Sequence, residues 1–515
     1  MKTMSNKKSN HLFELIKSLN KTEKRYFKLY SSRHTIGEQN NYISLFDYMS
    51  KMEVYEEELI EKHFKGEAFL NRFSITKGRL YTNILKALDL YYSTSSIDAQ
   101  LYKTIHSAEI LFNKGLYQQS EKLLHSAEKQ AEKHGKNVLL LEIKDKQKKL
   151  IEKESYSDLK KNQLTNLFNE EIKILDEIKK YQTLWYTKSL VFNEINLKGI
   201  IRSDEDIKSL KTIVDSISKI SIADNSAKIK YLYHHIYSAY YFAINDLNNC
   251  YIHLSDCKYI VEVNPHLFEG SPNTYFSIIT NLIYIATKLQ KYDESNLFLK
   301  LLKDIPNSKS YVSTTDLDIK YFSSIYSLEL FLKIEQSDYK GATLLIPKIE
   351  NGYEQYGAQI NNIRKAYIDF KIAIVYLSIG EYEKSLHWIT QILNAEGLDK
   401  KQDIFCFAQI INLILHFELK NIRFLPYALS STKRYLKGRN RLFKFEEIFL
   451  KTIGKISKQD LNKFDIEDIL IPIEKELFSL KDDLFEQIVF DYFDFATWVK
   501  SKIEGKSYLE LKSVS

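Results

Sequence analysis

Turn-forming residues are scarce in this sequence of 515 residues. Gly 15 and Pro 6 together make about 4% of the chain, where about 12% is usual. A β-rich fold of this length needs many more residues suited to tight turns, so long helices joined by short polar turns remain. Cysteine is equally sparse. Cys250, Cys257 and Cys406 give no even framework. The first two stand seven apart, on one face of a helix, and read as small core residues in a reducing compartment rather than as a disulfide or a ligand pair. No run of 18 apolar residues occurs, so no membrane-spanning helix is expected. The opening MKTMSNKKSNHLFELIKSLN lacks a continuous apolar core and meets Glu14 early, which argues against a signal peptide. A cytoplasmic protein with no membrane association is expected.

Catalytic and cofactor motifs are missing as well. There is no GxxxxGK or GxGxxG string, and with it no standard phosphate-binding loop. HExxH does not occur, and none of the 12 His follows a Glu by three residues, which removes the usual helical zinc and di-iron patterns. His234 and His235 are neighbours and point to different helix faces, so each reads as an interior or groove residue rather than a metal ligand. No GxSxG elbow is present. The expectation is a protein without enzyme activity, catalytic residues, cofactors or metal.

What is present is apolar and aromatic surface. Hydrophobic residues make 44% of the chain and aromatic ones 13%, with 36 Tyr; these suit a packed core and interfaces where one ring edge stays wet. The net charge is +7, and residues 1–35 hold nine Lys/Arg against Glu14 and Glu23. The basic excess therefore sits at the N-terminal end and the remainder is balanced, as solvated helix faces are.

Residues 10–92 are expected to form a small helical domain. Asn20 and Glu23 are spaced as a capping box that starts a helix to about Tyr30, with Phe27 and Tyr30 inward and Lys21, Lys24, Arg25 and Lys28 outward. That basic face is a solvated helix surface, or a contact for nucleic acid or an acidic protein. Few of its cations are Arg, which counts against base reading. Further helices are expected at Tyr42–Met52, Val54–Phe64 and Ser74–Tyr92. The polar run Ser93, Thr94, Ser95, Ser96 marks the boundary.

From residue 97 to about 440 a unit repeats. A helix ends near Gly115, a tight turn follows and a second helix begins; the same turn recurs from Asn245, Gln290, Ser337 and Gly380. Two residues on stand Tyr117, Leu247, Tyr292, Tyr339 and Tyr382, and three further come the small side chains Ser120, Cys250, Ser295, Ala342 and Ser385. Small residues also occupy the middle of the preceding helix at Ala108, Ser238 and Ala373, with Ile283 departing. Close approach of paired helices explains the small positions. Degenerate copies are expected around Tyr156, Ser203 and Ile422.

These turns resemble the Gly-x-Tyr-x-x-Ala turn of tetratricopeptide (TPR) repeats, over about two-thirds of the chain, although the spacing exceeds the regular TPR period of about 34 residues. The resemblance implies a right-handed α-α superhelix (TPR-like solenoid); with the helical composition this gives an all-α fold behind the small N-terminal helical domain, and residues 441–504, where the helical pattern continues without the turn signature, are expected to be C-terminal capping helices. A final helix over DDLFEQIVFDYFDFATWVKSKI would carry Leu484, Ile488, Tyr492, Phe495, Trp498 and Val499 over the last repeat, or into a dimer contact.

In such repeats the first helix of each pair lines a concave face. The resemblance places Tyr102, Ile105, Glu109, His235, Ala239, Thr280, Tyr284, Lys288, Phe370 and Ile374 there. The expected function is a protein-interaction scaffold that holds a peptide or partner helix in this groove. Nucleic acid is a less favoured partner. The alternative is a regulator with an N-terminal DNA-binding domain and a TPR-like sensor array. Among the groove positions only Lys288 is basic, so a paired clamp for a peptide's terminal carboxylate is not expected.

Overall fold

The computed structural model describes residues 10–33, 41–153, 155–156, 160–198, 201, 203–222, 225–268, 272–307, 315–395, 403–457, 463–483 and 485–512. Among these residues every regular element is helical and no strand occurs. The chain forms two compact units, Met1–Ile174 and Leu175–Ser515.

In the first unit, α1 (His11–Ser18), α2 (Lys21–Arg33), α3 (Asn41–Lys51), α4 (Glu57–His63) and α5 (Phe73–Tyr92) enclose a core that includes Leu12, Ile16, Phe27, Phe46, Met49, Ile60 and Ile84. Its buried members all lie between Leu12 and Ala87, so this core is complete before the repeats begin. The cap at α2 is reciprocal. Asn20 Oδ1 accepts from the Glu23 N–H at 2.9 Å, and Glu23 Oε2 accepts from the Asn20 N–H at 2.7 Å, satisfying two donors that the helix cannot. Ser96 caps α6 (Ile97–Asn113) by accepting from the Ala99 N–H at 3.2 Å. With α7 (Tyr117–Lys133) and α8 (Asn137–Lys153), α6 builds a second core from Leu101, Ile105, Ala108, Leu124 and Ile143.

The second unit continues the pairing. Its elements are α9 (Lys161–Lys198, which contains the point of division), α10 (Asp204–Asp215), α11 (Ala227–Ala243), α12 (Leu247–Val263), α13 (Pro272–Lys288), α14 (Tyr292–Asp304), α15 (Thr315–Glu335), α16 (Tyr339–Thr343), α17 (Ile346–Tyr356), α18 (Asn362–Ser378), α19 (Tyr382–Asn394), α20 (Asp403–Glu418), α21 (Leu425–Lys437), α22 (Lys444–Ile456), α23 (Lys463–Leu480), α24 (Phe495–Glu504) and α25 (Tyr508–Lys512). Successive helices pack as hairpins: α11 on α12, α13 on α14, α18 on α19 and α20 on α21, as α6 on α7 in the first unit. This is the TPR-like, all-α repeat fold expected from the sequence.

The turns explain why the hairpins form where they do. Gly115, Asn245, Gln290, Ser337, Gly380 and Lys420 are all left-handed, with φ between 57° and 82°. The next N–H then returns to the carbonyl five residues back: Leu116 to Leu111 at 3.0 Å, Lys291 to Ala286 at 2.8 Å, and Glu381 to Tyr376 at 2.9 Å. This closure satisfies carbonyls left open at a helix end. Gly115 and Gly380 adopt it freely, whereas Gln290, Ser337 and Lys420 do so against a Cβ penalty of about 1 kcal/mol.

The small positions work as a contact. Ser120 Oγ donates to the Ala108 carbonyl and Ser385 Oγ to the Ala373 carbonyl, each at 2.7 Å and buried. In the repeat where Ile283 departs from the pattern, the serine finds other partners. Ser295 Oγ lies 3.1 Å from Thr287 Oγ1 and donates to the Lys291 carbonyl at 3.0 Å.

The chain also breaks near the expected degenerate copies. Ser155 and Tyr156 are left-handed, Ser203 caps α10 through the Asp206 N–H, and Lys420 turns the chain between α20 and α21. Between the first two, however, the expected helix pair is one helix of 38 residues. Residues 161–198 contain neither Gly nor Pro, so nothing local stops α9.

The expected final helix is corrected. The chain forms a short 3-10 helix at Gln487–Asp491 and restarts as α24. Asp494 stops it by capping α24: its carboxylate accepts from the Thr497 N–H at 3.2 Å and the Thr497 hydroxyl at 2.8 Å. Lys481 at 3.0 Å and Lys512 at 2.8 Å hold that carboxylate, so its pKa lies well below the usual range despite burial. Phe495, Trp498 and Val499 are buried, and Phe495 packs on Phe445 and Phe449 of α22. Leu484 lies outside the described residues.

Candidate functional site

Two adjoining cavities of about 480 and 500 Å³ lie in the second unit. Their walls come mainly from α11, α13, α15, α18 and α20, the first helices of successive pairs, with Phe192 and Ile195 of α9 at one side, Leu247, Cys250 and Leu254 of α12, and Ile488, Asp491 and Tyr492 from the segment before α24. Ile195, Phe242, Tyr284, Ser327, Leu328 and Tyr367 line both. Each volume is in the range of a ligand site.

The walls are aromatic. Tyr284 stacks on Phe331 with centroids 4.9 Å apart and meets Phe242 edge-on at 6.1 Å. Tyr492, from the segment after the 3-10 helix, stacks on Phe407 at 3.9 Å and meets Phe370 at 6.0 Å. His235 lies against Phe192 and Tyr231. Burial pushes its pKa down to about 4, so the ring is neutral at pH 7. Among the described residues, no hydrogen bond or ion pair engages the side chains of Asn281, Ser324, Ser327 and Arg364 on the first cavity. These are the groups available to a ligand's polar atoms.

The second cavity holds charge at low dielectric. Lys288 Nζ is 2.6 Å from Asp491 and 3.6 Å from Glu335. These partners hold its pKa above the ordinary lysine value in spite of burial. Lys371 has no ion-pair partner among the described residues and rests 4.5 Å over the Phe331 ring. Burial first, and then Lys288, push its pKa down to about 8, partly offset by Glu335 and Asp491. Burial also raises the Asp491 carboxyl, against the attraction of Lys288. A carboxylate entering here would gain an amine that lacks a direct counterion.

Of the expected groove residues, His235, Ala239, Thr280 and Tyr284 line the first cavity, and Tyr284, Lys288, Phe370 and Ile374 the second. The remaining three belong to the first unit and line neither. Tyr102 is exposed, Ile105 is buried in the core of α6–α8, and Glu109 pairs with Lys146 at 3.0 Å. Ile105 is therefore a packing residue. On α2, Lys21 and Arg25 are exposed and Lys24 is half-buried, while Lys28 pairs with Asp47 at 2.5 Å.

Sequence reasoning missed Arg364, Tyr367 and Lys371, which share one face of α18 with Ile374. Their spacing of three, four and three residues was a readable signal. It also missed Asp491, which comes from a segment some 200 residues from Lys288 in the chain, as no local pattern reveals such contacts.

No known protein family and no curated protein matches this chain. Two solved structures are similar to it. One is the crystal structure of NprR in complex with its cognate peptide NprX, at 14% identity over 66% of this chain and 93% of that one, with a TM-score of 0.41. The other is the apo form of RapI, at 11% identity over 79% and 99%, with a TM-score of 0.41.

Proposed function

We propose that this chain is a non-enzymatic interaction scaffold that binds a short peptide or a partner's helix in the two adjoining cavities of its second unit. The observation that carries this reading is their wall: four first helices of consecutive pairs, α11, α13, α15 and α18, present Phe242, Tyr284, Phe331, Tyr367 and Phe370 as apolar anchor sites. Beside these anchors stand the unengaged polar groups of Asn281, Ser327 and Arg364 and the counterion-poor amine of Lys371. Apolar anchors in desolvated pockets supply most of the energy in such recognition, and sparse polar groups fix orientation. A cytoplasmic setting suits the three buried, unpaired cysteines.

The test is selection of peptides from a random displayed library on the full chain, followed by rebinding to Ala239→Trp, which fills the first cavity, and to Lys371→Met. Selected peptides are expected to lose at least about tenfold in affinity on Ala239→Trp, or about 1.4 kcal/mol, with an unchanged unfolding midpoint. Peptides that bind both variants as tightly as the parent place the binding surface elsewhere.

A further inference from the structure

We infer that His234, His253 and Asp256 form a binding site for a divalent transition-metal cation of the Zn²⁺ class, clamping α11 to α12. The site lies apart from the cavities. His235 lines the first cavity, whereas His234, one residue earlier and about 100° round the helix, turns toward α12. There His253 and Asp256 stand three apart, on one helix face. His234 Nδ1 is 2.9 Å from His253 Nδ1 and 3.1 Å from Asp256 Oδ2. One ligand atom from each of the three lies within 4.8 Å of the others.

Proton counting makes this convergence unusual. A neutral imidazole has one N–H, and a carboxylate only accepts. A proton on His234 Nδ1 serves either His253 or Asp256, leaving the other facing it without a hydrogen bond. A divalent cation satisfies all three lone pairs at once. Zn²⁺ takes His nitrogen and carboxylate oxygen at about 2.0–2.2 Å in tetrahedral geometry, which sets ligand atoms about 3.3 Å apart. The two separations from His234 Nδ1 are a few tenths shorter and the third is within 4.8 Å, a difference small side-chain rotations can take up.

The surroundings fix the ligands. The His253 ring stacks on Tyr237 and on Tyr241, each with centroids 5.4 Å apart. Tyr233 meets the His234 ring edge-on at 5.6 Å. Asp256 is half-exposed at 47% of its side chain, which leaves a route for the ion and a fourth position for water. The donor set of two nitrogens and one oxygen selects Zn²⁺, Co²⁺ or Ni²⁺ over Mg²⁺ and Ca²⁺, which prefer all-oxygen sites.

The experiment uses the full chain without a histidine tag, stripped with chelator. Zn²⁺ is titrated by calorimetry, and Co²⁺ by its visible d–d absorption. The expected result is one equivalent bound, a Co²⁺ spectrum of low coordination number, and a melting temperature that rises with Zn²⁺ and falls back with chelator. His253→Gln and the more exposed Asp256→Asn should weaken Zn²⁺ binding by at least about tenfold, while His387→Gln, on α19, should leave it unchanged. No saturable binding by the parent, or parent-like affinity in folded Asp256→Asn, overturns the site. Should His253→Gln fail to fold, Asp256→Asn and the parent's Co²⁺ spectrum still decide.

Discussion

Replacing Ser385 by Leu tests the paired-helix contact that defines the repeat. Ser385 and Ala373 are both 0% exposed, and the serine hydroxyl donates to the Ala373 carbonyl at 2.7 Å. Losing that hydrogen bond costs about 1 kcal/mol. Placing a larger apolar side chain where two helices meet adds about 1–3 kcal/mol of overpacking, for a total of about 2–4 kcal/mol. Ser385→Ala removes the hydrogen bond without demanding space and should cost about 1 kcal/mol, so the difference between the two variants isolates the steric part. Urea unfolding followed by far-UV circular dichroism reads this directly. With a slope of about 3 kcal/mol/M, a loss of about 3 kcal/mol lowers the midpoint by about 1 M. A repeat array can unravel from one part, so tryptophan fluorescence should be followed too; Trp388 lies one turn from Ser385 on α19. Equal midpoints for Ser385→Leu and Ser385→Ala would refute the reasoning, because they would show that the helices have room to spare at this position.

Asp369 is buried and accepts from the Tyr353 hydroxyl at 2.7 Å, and burial raises its carboxyl to about 6. The native state therefore holds a proton that the unfolded chain has lost between about pH 4 and 6, and this contribution to stability falls as pH rises through that window. Asp369→Asn should stabilise by about 1–3 kcal/mol at pH 7.5 and by almost nothing at pH 4; equal gains at both pH values in urea titrations would contradict it. Gln290→Gly should stabilise the chain by about 0.5 kcal/mol after the entropy cost of glycine, since φ there is 58°, and so raise the urea midpoint modestly; a lower midpoint would show that the left-handed turn carries no strain. A selected peptide should lose less than about tenfold in affinity when its C-terminus is amidated, because Arg364 lines the first cavity and Lys371 the second; calorimetry showing a larger loss would mean Lys371 and Arg364 act together on a terminal carboxylate. A fragment of residues 10–96 should give a cooperative helical melt, as its core is complete by Ala87, and in gel shifts with random duplex DNA it should show no steep salt-dependent binding; such binding would favour the DNA-binding alternative.

The sequence by itself determined the helices and their hairpins. Too few Gly and Pro for a β fold, left-handed turns at Gly115 and Gly380, the Asn20–Glu23 cap and the small residues at Ala108, Ser120, Ala373 and Ser385 all act within one hairpin or one helix end, where spacing along the chain fixes spacing in space. Seven of the ten groove positions that the TPR resemblance implied line the cavities. Tertiary structure alone decided the rest. Ile105 sits at an equivalent repeat position yet is buried in the core of α6–α8, since which helices cover a face is not written in that helix. Lys288 finds Asp491 across about 200 residues, and His234 finds His253 and Asp256 on the neighbouring helix, facing away from the cavity that His235 lines. Contacts of this kind depend on how packed helices rotate against one another. Side-chain volumes along the whole interface set that rotation, so no local pattern contains it.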